Sequence, residues 1–88
     1  MRIDRLLCYL RFVKTRSQAH QLVDAAHIRC NGMRVERDSY AVAAGDVLVL
    51  PLGANIRVVE ILELPERRGP PAMAQSCYRL LDPQTERP

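Results

Sequence analysis

Arg11, Lys14 and Arg16 put three cations within six residues, immediately ahead of a stretch that reads as an amphipathic helix. A helix N-terminus presents unpaired amides and about half a unit of positive charge, so cations beside it gain nothing from the dipole. They gain from a phosphate bound among them, because amides and side chains then converge on one anion. The competing reading is that these long side chains simply extend into water at small cost.

Other chemistry finds little support. No Ser-His-Asp or Cys-His set is visible, and Glu60 and Glu63 lie in a β-type run with nothing to activate them. The four glycines are dispersed as turn residues and do not form a phosphate-cradling loop. Cys8, Cys30 and Cys77 are odd in number and widely separated, with only His20 and His27 as co-ligands, which argues against a disulfide framework or a zinc site. The chain is therefore expected to be no enzyme and to need no cofactor and no metal.

Net charge sharpens the positive reading. The 88 residues carry a formal charge of +3, unevenly distributed. Residues 1–34 hold seven cations against two acids, and the remainder holds six against eight. A chain basic at one end suits an anionic polymer gripped along one face. No apolar run approaches the roughly 20 residues that span a bilayer, and the N-terminus lacks a signal-type apolar stretch, so a cytoplasmic protein with no membrane partner is expected.

The elements that must position these cations follow from periodicity. Ile3, Leu6, Leu7 and Leu10 recur at helical spacing and form one apolar stripe, with Arg2, Arg5, Tyr9 and Phe12 on its flank. Thr15-Arg16-Ser17-Gln18 has the pattern of a capping box, so a second helix starts there, with Ala19, Leu22, Val23 and Ala26 inward. From His27 the period becomes two, and Asn31-Gly32 predicts a type I′ hairpin with Arg29 and Arg34 on either side. A loop over 36–42 leads to a short strand with Tyr40 and Val42, and Val47–Leu50 and Ile56–Leu64 read as strands separated by a break at 51–54. A Pro-rich connector at 65–71 precedes a closing helix over 72–81, and 83–88 should fray. Leu6, Leu10, Leu22, Val23, Ile28, Val47, Val49 and Val58 are the expected core. The fold class is α+β: two N-terminal helices packed on a small, mainly antiparallel sheet, with a short C-terminal helix.

Arg2-Ile3-Asp4-Arg5-Leu6-Leu7, Lys14-Thr15-Arg16-Ser17-Gln18-Ala19, Leu22-Val23, Ile28-Arg29-Cys30-Asn31-Gly32 and Gly45-Asp46 occur in this order over residues 2 to about 50. As a set they resemble the S-four-type RNA-binding domain, named after ribosomal small-subunit protein four, which is built on the alpha-L RNA-binding motif. Arg11 to Arg16, Arg67-Arg68-Gly69-Pro70 and Tyr78 are further similar to the bacterial fifteen-kilodalton heat-shock ribosome-associated protein family. That resemblance implies a domain at 1–64, with 65–88 as a Pro-rich connector and helical extension. It implies binding of structured RNA, most specifically ribosomal RNA of the large subunit and peptidyl-tRNA, in recycling stalled subunits. It also implies an RNA surface of Arg2, Arg5, Lys14, Thr15, Arg16, Ser17, His20, Arg29 and Asn31. Ala26 stands where the family often has glycine, and relatives of the heat-shock type tend to carry a longer basic tail. A monomer is the expected state. The alternatives from other classes are a protein-protein interaction module or a ribosome assembly factor.

Overall fold

The computed structural model describes residues 1–25, 28–52 and 55–81. The expectations for Ala26, His27, Gly53-Ala54 and the tail at 83–88 fall outside those residues. Helix α1 spans Ile3–Tyr9 and α2 spans Arg16–Ala25. They are followed by strands β1 (Arg29–Cys30), β2 (Met33–Arg34), β3 (Val47–Leu52) and β4 (Asn55–Ile61), then helix α3 (Pro71–Ser76) and strand β5 (Tyr78–Leu80). The strands form one antiparallel sheet in the order β2-β1-β3-β4-β5. The expected α+β class is what the chain adopts.

Both helix ends have local causes. At the end of α1, Arg11 N–H donates to Cys8 O at 3.0 Å and Phe12 N–H to Leu7 O at 3.0 Å, the paired bonds of a Schellman closure. Arg11 occupies the left-handed position that this closure prefers to give to glycine, with φ of 64°. For a residue with a Cβ that conformation costs about 1–2 kcal/mol. At the start of α2, Thr15 Oγ1 accepts from Gln18 N–H at 3.1 Å, as the capping box predicts. Gln18 Oε1 reaches back one residue beyond the cap, accepting from Lys14 N–H at 2.8 Å. Asn31 and Gly32 have φ of 52° and 84°, and Cys30 pairs with Met33, so the two-residue turn forms as its sequence dictates.

The helical stripe Ile3, Leu6, Leu7 and Leu10 is buried, as are Val23 and Ile28. Each large side chain so covered contributes about 1.5–3 kcal/mol. The strand faces differ from expectation. Leu48, Leu50, Val59 and Ile61 are fully buried, whereas Val47, Val49 and Val58 are half-buried on the other side of the sheet. A run of β-formers without alternation does not mark its inner face, and an offset of one residue exchanges the two. Leu22 is also only half-buried, packed at the margin of the core.

Element boundaries also shift, and β4 ends at Ile61, three residues before the expected Leu64. The expected short strand near Tyr40 and Val42 is a single bridge, Arg2 to Ala41. Strand β3 runs through Pro51, whose register partner is Ile56, and does not stop at Leu50. The closing helix ends at Ser76, because Cys77 is buried in the core and its carbonyl accepts from Leu62 N–H at 2.8 Å, capturing the chain for the open edge of β4. Tyr78–Leu80 therefore continues as a strand, and packing runs unbroken across the compositional change near residue 64.

Candidate nucleic-acid interface

The loop between α1 and α2 reverses the chain and brings the start of α2 back to the first turn of α1. There Asp4, only 2% exposed, accepts four hydrogen bonds. Arg2 donates through Nε at 3.2 Å and Nη2 at 3.1 Å, Arg16 through Nη2 at 3.0 Å, and the Arg5 amide at 2.7 Å. Burial is the largest influence on this carboxyl and pushes its pKa up, but the bonds from Arg16, Arg2 and Arg5 outweigh it and leave the value below the usual 3.8. Asp4 is thus held as an anion that aims two guanidiniums.

Two arginines sharing one carboxylate leave most of their N–H groups unspent. Both side chains stay about half exposed, at 44% for Arg2 and 57% for Arg16. Arg2 also lies 3.8 Å from Asp38, and His20 bridges Asp38 Oδ2 at 2.9 Å and Asp24 Oδ2 at 3.2 Å. The hydrogen bond to Asp38, with Asp24 next, raises the His20 pKa above its usual 6.5. Asp4, Arg16, Ser17, His20, Gln21 and Asp38 line an open depression of about 420 Å³. Arg5 and Lys14 are exposed and, among the described residues, have no acidic mate.

Of the nine residues expected at an RNA surface, Arg16, Ser17 and His20 line this depression and Arg2 joins them through Asp4, whereas Arg5 and Lys14 are exposed on α1 and on the loop before α2. Thr15 is the cap of α2. Arg29 stands on β1 opposite Arg34 and Val49, on the sheet face away from the buried Cys30 and Leu48. The Asn31 amide is engaged within the protein: Oδ1 accepts from Val47 N–H at 2.9 Å and Nδ2 donates to Asp46 at 3.1 Å. The acids were not part of the expectation: at the depression Asp4 and Asp38 balance the charges of Arg2 and Arg16, and Arg5 and Lys14 are unpaired among the described residues. Arg11 and Arg68, absent from the expected set, also join this edge. Arg11 Nε donates to Gly69 O at 2.9 Å, and Arg68 Nη1 to Lys14 O at 3.3 Å. The signal for them was their likeness to one family, with no local pattern to link residues so far apart.

Compared with known families, residues 1–48 match the S4 domain. The chain belongs to the S4 domain family. The small ribosomal subunit protein uS4 of Acinetobacter baumannii (strain AYE) is 40% identical over 83 residues, covering 92% of this chain and 40% of that protein. The uS4 of Desulfotalea psychrophila is 43% identical over 72 residues, 80% of this chain and 34% of its own length. The chain thus spans two-fifths or less of these curated relatives. Among solved structures, Vibrio cholerae Heat Shock Protein 15, described as trimeric, superposes with a TM-score of 0.84 at 31% identity, covering 91% of this chain and 80% of that one. Both expected likenesses, to the S4 domain and to the heat-shock type, hold, and they support RNA binding as the general function.

Proposed function

We propose that this S4 domain is a non-catalytic module that grips structured RNA by its phosphates and A-form shape, with few base-specific contacts. Its target is large-subunit ribosomal RNA, and its role is that of a heat-shock-type, cytoplasmic, ribosome-associated factor that helps recycle subunits stalled with peptidyl-tRNA. The observation that carries the reading is the buried Asp4 holding Arg2 and Arg16 half-exposed next to unpaired Lys14 and Arg5. Such an arrangement fixes cations in place and leaves their donors free for an anion. Ser17 and His20 at the depression are proposed as further phosphate donors, with Thr15 fixing the helix start that presents them. Arg29 and Asn31 are retained as proposed contacts of a longer RNA path, Asn31 through the turn it shapes. The patch is built from residues of one chain, so one copy suffices to bind; the trimer described for the Vibrio protein is that protein's own property.

Sedimentation of cell lysate at low and high salt tests this reading. The protein should travel with large subunits at low salt and move to the top of the gradient at high salt. Purified material should also carry nucleic acid, easily seen in the ultraviolet absorbance of a chain with no Trp and three Tyr. Protein that stays at the top at low salt and purifies free of nucleic acid contradicts it.

A further inference from the structure

The connector after β4 is seated on the α1–α2 loop by two hydrogen bonds, Arg11 Nε donating to Gly69 O and Arg68 Nη1 donating to Lys14 O, and β5 beyond it adds a ring contact, with the Phe12 and Tyr78 centroids 4.9 Å apart. Gly69 is buried there, and a Cβ at that position would collide with the Met73 thioether. The Lys14 backbone is consequently held on both sides, its amide by Gln18 and its carbonyl by Arg68, while its ammonium remains free.

Arg11 is kept in a left-handed conformation where glycine would relieve strain. Strain retained in a native fold points to a use for the residue that bears it. Among the described residues, neither Arg11, Lys14, Arg67 nor Arg68 has a carboxylate at ion-pair distance. The positive surface therefore runs on from the Asp4 cluster, across Lys14, to the connector.

We propose that Arg67 and Arg68 form a second phosphate subsite, continuous with the first and set by the docking of the connector, so that an RNA backbone crosses from α2 onto the C-terminal segment. This rests on the RNA-binding reading and extends it to a segment outside the expected surface. The partner chemistry is a sugar-phosphate chain long enough to place successive phosphates over both subsites. Arg11 is a positioning residue in this scheme, since its guanidinium is committed to Gly69 and holds the connector down.

The test is the salt dependence of binding of a labelled RNA hairpin to the full chain, comparing wild type with Arg67→Gln/Arg68→Gln, Lys14→Ala/Arg16→Ala and Arg68→Lys. Loss of two phosphate contacts should make the log K against log salt slope shallower by about 1–2 and weaken binding about tenfold at low salt, and Arg68→Lys should keep the wild-type slope. A Gln double variant with the wild-type slope, while Lys14→Ala/Arg16→Ala has lost affinity, overturns the second subsite and leaves the RNA-binding reading standing. Affinity unchanged in both double variants overturns both. Should the Gln double variant fail to fold, Arg67→Gln alone applies the same test at an exposed, unpaired side chain, with a slope change of about half that size.

Discussion

Asp4 and Asp46 are two aspartates that each gather several donors, and their partners separate a site from a brace. Asp46 accepts from Ala43 N–H at 2.9 Å, Asn31 Nδ2 at 3.1 Å and Cys30 Sγ at 3.6 Å. All three donors are neutral, so the cluster ties the hairpin to the 43–46 turn without gathering a cation. Asp4 takes its bonds from two arginines and an amide, and it cannot satisfy the arginines. The excess N–H donors remain at the surface, with Asp38 also within ion-pair distance of Arg2. A saturated polar cluster stabilises a fold, whereas an over-supplied one recruits a ligand of the missing sign.

The sharpest way to break this comparison is Asp46→Ala. Stripping three accepted bonds from the hairpin should cost about 2–3 kcal/mol in urea unfolding while the folded fraction loses no more RNA affinity than the Asn31 turn supplies. A loss of affinity in folded Asp46→Ala as large as in Lys14→Ala/Arg16→Ala would erase the distinction. The next effect in size is in Lys14→Ala/Arg16→Ala, with binding weakened about tenfold to thirtyfold; some stability is lost with it, because Arg16 is one of the donors to the buried Asp4. Anisotropy titration and thermal melting read the two quantities.

The pH profile sharpens the comparison further. For Asp46 the Ala43 amide is the largest influence and lowers the pKa; burial opposes it, and Asn31 and Cys30 reinforce it. Asp4 ends below its usual value too. For a carboxylate lowered by folding, the stabilisation is present above the unfolded value of about 3.8 and is lost as pH falls through the folded one. Both clusters should therefore fail together in acid. His20 has the opposite sign: its raised pKa contributes stability that is complete below about pH 6.5 and is lost as pH rises through the folded value. Only the Asp4 side should weaken on going from pH 6 to 8, and unfolding curves that decline equally in His20→Gln would contradict this.

The smallest expected effect is on binding. Protonated His20 adds charge to the depression, so affinity should rise about twofold from pH 8 to 6, and His20→Gln should abolish that change.

Legibility in the sequence followed the distance over which each feature is decided. The α1 stripe, the capping box and the Asn31-Gly32 turn are settled within eight residues, and they form as read. The inner face of β3 is settled by its partners, since Val47–Leu50 offers β-formers to both sides, and the reading chose the wrong face. The segment 72–81 satisfies helix and strand alike, and the free edge of β4 decides in favour of a strand after Ser76. The cations themselves were visible, but their anchor was not. Arg16 and Asp4 are 12 residues apart and meet only because the loop doubles back, and Arg68 meets Lys14 across 54 residues.

The most direct measurement for the central claim is the slope of log K against log salt for a structured RNA binding to the wild-type chain. If about four cations at the Asp4 cluster and its rim each neutralise a phosphate, the slope lies near −3 to −4, and the connector adds about 1–2 to its magnitude. An affinity that stays constant across the salt range would contradict the account.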